Sequence, residues 1–340
     1  MKNSLMTVLC AAFLSHSLLA TARTPTAAAT SAPAAAAAMT TWNLATGYRA
    51  ESLYTQNIAQ FARDVELATG ETLLIKLHPN NSLAKLNEIS MAVQQGKAEA
   101  GETIMTSLVK DIPIAGADSV PFVVASYGDA QRLWKLQKSG IKNEFASRGL
   151  TLLYTVPWPP QGLHSNMPIR SLVDLKDTQM RTYNSTTLRI AELLGAKPVD
   201  VTTADVGKAL AEGRMDNMIT SALTGVENKG WGPIKYYDEI NAWFPKNVVF
   251  VSTKALDTIK PEARKLVIGA AAQAEVRGWT ASEALASSAT EELRKNGIKI
   301  ERIPSDVDTE IKRMGEKFSR EWVRSVGNEA NKIFVPYYIK

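Results

Sequence analysis

Short apolar or alternating runs in the first half of the chain predict β-strands, and longer runs between them have apolar residues every three or four positions. The segment TWNLAT is one such strand, and the helix after it places Leu53, Ile58 and Phe61 on one face. Glycine or proline follows most of these segments. The pattern predicts strands at residues 41–46, 72–78, 100–105 and 150–156, and helices at residues 51–69, 86–95 and 129–147.

The same alternation starts again in the second half of the chain. Pro261 opens a long helix and Gly297 follows its end, an asymmetry typical of helices. Strands that alternate with helices indicate an α/β fold with parallel sheets covered on both faces, and the restart indicates two lobes. The pattern predicts strands at residues 180–183, 248–252 and 298–303, and helices at residues 185–194, 205–214, 261–295 and 306–331.

The N-terminus has the pattern of a secretory signal. Lys2 precedes an apolar run at residues 5–20, which ends in a small-x-small cleavage site. We expect residues 1–22 to be a cleaved signal peptide that directs the protein to the periplasm. An uncleaved membrane anchor is the alternative, although the run is short for a span. Residues 23–41 are mainly Ala, Thr, Ser and Pro and predict a flexible leader.

Composition narrows the class of protein. The 340 residues are 45% hydrophobic and 21% charged, as in globular chains. Lys and Arg (39) exceed Asp and Glu (34) by only five, and the charges form no runs, so we expect no nucleic-acid partner. Cys10 is the one cysteine, which excludes an intrachain disulfide and a thiolate metal site.

Sequence motifs of catalysis and of cofactor binding are missing. The chain has no G-x-S-x-G, H-E-x-x-H, Walker or G-x-G-x-x-G motif, and beyond the signal it has only His78 and His164 as histidines. We therefore expect a binding protein without cofactor or metal. An extracytoplasmic enzyme acting on a carboxylate is the alternative, because a catalytic triad is defined in space and not by order.

One arginine is placed to bind an anion. Arg181 lies on a predicted strand, and Asn184 or Ser185 can cap the helix that follows. The free N–H groups and the dipole at a helix N-terminus favour an anion, and a guanidinium matches the two oxygens of a carboxylate. We expect Arg181 to bind a carboxylate; an internal salt bridge or a solvated side chain is the alternative.

The motifs around Arg181 resemble those of the substrate-binding proteins of tripartite ATP-independent periplasmic (TRAP) transporters. That family's D-L-K-G-x-K-[IM]-R stretch is followed shortly by Asn, then by L-G-A-x-P and by a run with A-L-x-x-G-x-x-D. Here the matches are DLKDTQMR at residues 174–181 with Asn184, LGAKP at residues 194–198, the run at residues 204–216, HPN at residues 78–80 and VPF at residues 120–122. The resemblance extends from about Trp42 to the C-terminus.

The resemblance implies two α/β domains joined by hinge strands and a long helix, with a ligand in the cleft. It implies that Arg181 and Asn184 contact a small organic acid, and that the small and large membrane subunits of a TRAP permease are partners. We also expect a monomer. The expected segments are domain I at residues 42–163 and 250–280, domain II at residues 164–249 and 298–305, a connecting helix at residues 261–296 and a C-terminal helical segment at residues 306–340.

The chain departs from the family pattern in ways that bear on the ligand. Some members carry a second basic residue roughly where Gln161 lies, and the Glu or Pro common after the position of Asp216 is missing. We therefore expect a monocarboxylate, a 2-hydroxy or 2-oxo acid with an apolar or aromatic tail. Trp158 and Trp243 would pack on that tail, with core packing as the alternative. A C4-dicarboxylate is the alternative ligand.

Further candidates follow from position alone. In open α/β sheets the ligand lies at the carboxyl ends of the strands. Each of these residues has an ordinary structural role as the alternative. The candidates are Tyr48 and Arg49 after the first strand, Thr103, Met105 and Thr106 with the third strand, and Thr220 with a strand-like segment that follows Asp216.

Overall fold

The structure is a computed structural model that describes residues 39–339. The predicted signal peptide at residues 1–22 and residues 23–38 of the predicted leader lie outside the described residues. The first strand begins at Thr40, within the predicted leader and one residue before the predicted start of the strand, and Thr40 and Thr41 pair with Leu73 and Leu74. Two β-branched residues beside an apolar neighbouring strand favour this extension.

Residues 39–339 contain eleven β-strands in two sheets. The strands are β1 (Thr40–Thr46), β2 (Leu73–His78), β3 (Ala100–Ile104), β4 (Leu150–Pro157), β5 (Gln161–Ser165), β6 (Gln179–Thr182), β7 (Lys197–Asp200), β8 (Asn217–Ser221), β9 (Tyr236–Asp238), β10 (Lys246–Ser252) and β11 (Lys299–Glu301). The first sheet has the order β2-β1-β3-β10-β4, and the second has the order β11-β9-β5-β8-β6-β7. Strands β5, β7 and β9 were not predicted.

Both sheets are mixed, so the expectation of parallel sheets is wrong in part. Strand β10 runs antiparallel to β3 and β4, and β5 runs antiparallel to β8 and β9. The chain leaves the first sheet at the end of β4 and returns at the start of β10, where Lys246 pairs with Pro157. Because exit and return lie side by side, β4 and β10 must run in opposite directions.

Most of the helices and strands that the sequence pattern predicts are present in the structure. The helices of residues 39–339 are α1 (Leu53–Ala68), α2 (Ile89–Gln94), α3 (Tyr127–Ala146), α4 (Ser185–Leu193), α5 (Val206–Ala211), α6 (Ala222–Glu227), α7 (Thr253–Thr258), α8 (Pro261–Lys295), α9 (Ser305–Val326) and α10 (Asn328–Tyr338). Helix α8 has the predicted bounds. It packs on α1 and β4 beside the first sheet and on α6 and β11 beside the second, so it connects both.

The C-terminal segment is two helices rather than the one predicted at residues 306–331. Gly327 separates α9 from α10 with φ of 70°, a left-handed conformation that glycine adopts without strain. The amphipathic pattern runs on through this glycine, and for that reason the sequence indicated a single helix. Helix α10 packs on α3 and closes that side of the first sheet.

The predicted domain boundaries cut two strands. The boundary between residues 163 and 164 falls inside β5, and the boundary between residues 249 and 250 falls inside β10. The chain passes between the sheets at residues 158–160 and again between β9 and β10. If each domain is defined by one sheet, both boundaries therefore lie several residues closer to the N-terminus than predicted. The division into two domains stays a prediction.

The apolar core lies on both faces of the first sheet. On one face Phe250 of β10 packs against Phe145 of α3, with ring centroids 5.3 Å apart. On the other face Tyr154 of β4 packs against Phe61 of α1 at 5.4 Å. Each fully buried apolar side chain of this size stabilises the fold by roughly 1.5–3 kcal/mol. This packing makes the sheet a firm base for the loops at its edge.

Candidate functional site

A cavity of about 560 Å³ lies where strands of both sheets end. Its walls come from the segments that follow β1, β2, β3, β6, β7 and β8, the edge at which α/β sheets bind ligands. The passage between the sheets completes it. The lining residues are Gly47, Tyr48, Asn81, Lys85, Leu86, Asn87, Ile104, Ser107, Trp158, Gln161, Arg181, Tyr183, Asp200, Thr202, Thr203, Ala204, Asp205, Thr220, Thr224 and Pro245.

Arg181 on β6 is the buried cation of this cavity. Its side chain is 2% exposed, and its guanidinium donates from Nε to Val201 O at 2.9 Å and from Nη2 to Thr203 Oγ1 at 3.2 Å. The guanidinium also lies 4.5 Å from the centroid of the Tyr183 ring. These contacts fix the plane of the guanidinium and leave Nη1 without a hydrogen bond within residues 39–339.

The charge of Arg181 has no acidic partner within 4 Å in residues 39–339. Buried Lys246, by contrast, has Asp118 at 3.1 Å. Burial is the main cause that lowers the pKa of Arg181 to about 10, so the side chain still carries its charge at neutral pH. A buried cation without a countercharge is costly, and a carboxylate entering the cavity would supply that charge.

Asn184 caps the helix after Arg181 and does not line the cavity. Its Oδ1 accepts from the Thr187 backbone N–H at 2.9 Å, which caps α4 as predicted. Its Nδ2 donates to Thr106 Oγ1 at 2.7 Å. Thr106 lies just after β3 of the first sheet, so Asn184 joins the two sheets.

Two aromatic residues form one wall of the cavity. Trp158 stacks on Tyr54 with centroids 4.1 Å apart, and Tyr48 lies 5.4 Å from Trp158. The Trp158 indole and the Tyr48 hydroxyl both donate to Asn247 Oδ1, at 2.8 and 3.1 Å. Asn247 therefore holds both rings from behind, and the wall is rigid.

A buried carboxyl group contacts Asn247. Glu102 is 1% exposed and accepts from Asn247 Nδ2 at 2.8 Å and from Thr46 Oγ1 at 2.6 Å. Burial, the largest cause, raises the pKa of Glu102 to about 7. The Trp158 indole can only donate, so Oδ1 of Asn247 must face it, and Nδ2 then faces Glu102.

Other predicted site residues differ in placement. Gln161 is 2% exposed and Thr220 is 4% exposed, and both line the cavity. Trp243 is buried in the core; its side chain lies beside Arg181 but outside the cavity.

Four of the positional candidates do not line the cavity. Arg49 is engaged by Glu51 Oε1 at 3.2 Å and by Glu227 O at 2.8 Å. Thr103 donates to Leu86 O, Met105 is fully buried in the core, and Thr106 receives Asn184. Rotation of a side chain away from the strand end is not visible in a sequence, so position alone could not show which of these residues line the cavity, and their contact with a ligand stays a prediction.

Sequence reasoning missed two loops of the cavity. The loop after β2 contributes Lys85, the end of β7 contributes Asp200 and the loop after β7 contributes Asp205, and all three side chains are exposed. A signal was available for the first loop, because it follows a predicted strand. Strand β7 is short and polar, so its local pattern gave no signal, although Asp205 lies in the family-matching run at residues 204–216.

Two further properties bear on what the site can do. Within residues 39–339, no group of three or more His, Cys, Asp or Glu side chains could hold a metal ion. None of the helices in that same range is long and apolar enough to cross a membrane.

The fold and the cavity define a two-sheet α/β binding protein with a buried cation in its cavity. The family model of bacterial extracellular solute-binding proteins, family 7 (DctP), matches residues 44–325. The chain belongs to this family, whose members include TRAP solute receptors. The resemblance inferred from the motifs is confirmed, and so is the predicted α/β fold class of a periplasmic binding protein. Similar solved structures include extracytoplasmic solute receptors.

Solved structures similar to this chain cover nearly its whole length. DctP6 of Bordetella pertussis, an extracytoplasmic solute receptor binding pyroglutamic acid, is 36% identical with a TM-score of 0.86, over 88% of this chain and 100% of DctP6. DctP7 of the same organism, also binding pyroglutamic acid, is 34% identical with a TM-score of 0.86, over 88% of this chain and 99% of DctP7. A TRAP solute binding protein from a marine metagenome, specific for pyroglutamate, is 33% identical with a TM-score of 0.86, over 89% of this chain and 100% of that protein.

Proposed function

We propose that this protein is an extracytoplasmic TRAP receptor that binds a small monocarboxylate of the pyroglutamate class and delivers it to TRAP membrane subunits. The observation that carries the proposal is Arg181, a buried guanidinium that lines the cavity and has no acidic partner in residues 39–339. The ligand carboxylate would accept from Arg181 and neutralise it. Delivery to a permease follows from the family to which the chain belongs.

The charges around the cavity favour one carboxylate over two. Asp200 and Asp205 lie exposed on the lining, and the one further lining cation within residues 39–339 is exposed Lys85. A second carboxylate would meet these acids or a solvated lysine, whose attraction in water is weak. The volume of about 560 Å³ is ample for a small ring acid.

The aromatic wall favours a ring. Tyr48 and Trp158 present flat faces, and their polar atoms are already engaged by Asn247. A compact ring can pack on such faces with little loss of conformational entropy. Pyroglutamate, which three similar receptors bind, is a five-membered lactam with one carboxylate. In place of the 2-hydroxy or 2-oxo acid with an apolar or aromatic tail expected from the sequence, we thus propose a cyclic lactam acid.

Binding would close the cavity in an ordered way. The carboxylate first meets Arg181 in a wet cleft, the lobes then move together, and water leaves. Hinge closure around a ligand is common among proteins of this architecture. Loss of water lowers the local dielectric constant, so the ion pair becomes stronger than an exposed one.

Calorimetric titration of the purified protein tests the proposal. We expect pyroglutamate to bind one to one and succinate to bind at least tenfold more weakly. Arg181→Met should weaken pyroglutamate binding by at least about tenfold, since a charge-assisted hydrogen bond contributes about 1.5–3 kcal/mol. Unfolding of the ligand-free variant should occur at the same temperature or higher, because an unpaired buried cation is removed.

Arg214→Met is the matched control, since Arg214 is exposed and pairs with Glu212 away from the cavity. It should leave affinity unchanged. The proposal is wrong if no organic acid binds, if succinate binds as tightly as pyroglutamate, or if Arg181→Met keeps the affinity of the natural sequence.

A further inference from the structure

Gln161 is a buried polar side chain on the wall of the cavity. It lies where the chain enters the second sheet, and its backbone is fixed on both sides: its N–H donates to Trp243 O at 3.0 Å, and its O accepts from the Ala242 N–H at 2.8 Å. The residue is 2% exposed and lines the cavity. Its position is therefore rigid.

The orientation of the Gln161 amide follows from one hydrogen bond. The side chain contacts Pro159 O at 2.8 Å. A carbonyl oxygen only accepts, so the contacting atom must be Nε2, whichever way the amide is built. Oε1 then makes no hydrogen bond within residues 39–339. Oε1 is nevertheless not fully shielded from solvent. Because Gln161 lines the cavity, the cavity is where this acceptor is accessible.

We infer that Gln161 is a specificity-determining residue whose Oε1 accepts a hydrogen bond from an N–H of the ligand. This inference rests on the proposed function, because it concerns the same cavity. Arg181 takes the carboxylate, and Gln161 recognises the ring N–H of a lactam. A buried acceptor left unpaired costs about 1–3 kcal/mol, so the site discriminates against acids that lack the N–H.

A pair of isosteric ligands tests the role of Gln161. The probes are pyroglutamate and its lactone analogue, 5-oxotetrahydrofuran-2-carboxylate, in which a ring oxygen replaces the N–H. We expect the unaltered protein to bind the lactam at least about tenfold more tightly than the lactone, since the lactone also brings two acceptors together. The carbocyclic analogue 3-oxocyclopentane-1-carboxylate, with a methylene in that place, should fall between them.

The variant Gln161→Met keeps the length of the side chain and removes the acceptor. We expect its lactam-to-lactone preference to fall below threefold, mainly through weaker lactam binding. Gln94→Met is the matched control, since Gln94 lies on α2 outside the cavity and also donates Nε2 to a backbone carbonyl. It should keep the full preference. A purely structural Gln161 would change both affinities together and leave their ratio unaltered.

The outcomes separate this inference from the function on which it rests. If the unaltered protein binds lactam and lactone equally, Gln161 is not the determinant and the receptor function stands. If Gln161→Met folds and keeps the preference, the same conclusion holds. If the unaltered protein binds none of the three acids, the proposed function fails, and the role of Gln161 fails with it. The comparison of ligands on the unaltered protein remains decisive even if Gln161→Met does not fold.

Discussion

Buried ionisable side chains of this protein meet three different environments. Lys246 lies 3.1 Å from Asp118, and both side chains are at most 1% exposed. Arg181 has no acid beside it within residues 39–339, and Glu102 has only the neutral donors Thr46 and Asn247. The buried Lys246–Asp118 pair is neutralised within the fold, whereas under the proposed function the charge of Arg181 is neutralised by the ligand. Glu102, which lies behind the aromatic wall, has neither role and accepts a hydrogen bond from the side-chain amide of Asn247.

Glu102 gives a prediction for the effect of pH on stability. Its folded-state pKa of about 7 lies above the ordinary value of 4.5, so the folded state holds its proton where the unfolded state has lost it. Stability therefore falls as pH rises from about 4.5 to about 7 and then levels, by up to about 3 kcal/mol from this group. Glu102→Gln should remove that fall. Urea unfolding of both proteins at pH 5 and pH 7.5 measures it, and parallel pH dependences would contradict the assignment.

At the scale of elements, α8 is held against two neighbours through one glycine. A Cβ on Gly278 would overlap Val156 of β4 and lie 2.9 Å from Asn57 Nδ2 of α1. The close approach lets Arg277 reach Asn57 Oδ1 at 2.8 Å and Asp64 Oδ2 at 3.1 Å. The helix that connects both sheets is thus fixed to the first one at this point.

The variant Gly278→Ala should destabilise the protein by about 1–3 kcal/mol, because overpacking forces backbone or side chains to move. Gly269→Ala in the same helix is the control: nothing lies within 4 Å of a Cβ there, and alanine is favoured over glycine in a helix by up to about 1 kcal/mol. Chemical denaturation should give opposite signs for the two variants. Equal effects would show that α8 does not pack tightly at Gly278.

Elements with a clear period could be predicted, and those without one could not. Helix α8 and the apolar strand β10 have long, consistent patterns, and the sequence located both. Strands β7 and β9 have four and three residues, too few for a period to be recognised. The direction of each strand could not be predicted from the sequence, because it depends on where the chain crosses between the sheets. The motif pointed to Arg181, which lines the cavity, whereas the short strand that carries Asp200 had no local signal.

At the scale of the whole molecule, polar contacts join the two sheets beside the cavity. The Asn184 amide donates to Thr106 Oγ1 at 2.7 Å, and Arg49 Nη2 donates to Glu227 O at 2.8 Å. Each contact links a segment after a strand of the first sheet to a segment of the second. Family resemblance assigned Asn184 to the ligand, but its amide is used by α4 and Thr106. These two contacts hold the segments of the two sheets together beside the cavity.

The variant Thr106→Val should raise the ligand dissociation rate by about 2–10-fold, because one hydrogen bond of about 0.5–1.5 kcal/mol is lost from the closed form. Asn184→Ser keeps a helix cap but is too short to reach Thr106, so it should have the same effect. The double variant should be no worse than either single one. Thr309→Val on the exposed face of α9 is the control. Stopped-flow release kinetics measure the rates, and additive effects would contradict a shared contact.

The passage between β4 and β5 performs two tasks at once. Trp158 and Gln161 line the cavity, and the same few residues connect the two sheets. Under the proposed function, a substitution there would alter both what the receptor recognises and how readily its halves come together. Evolution of a new preference is therefore less constrained in the loops after β2 and β7, which touch the cavity without linking the sheets. Paralogues of this receptor that differ in cargo should diverge first in those loops and keep the passage.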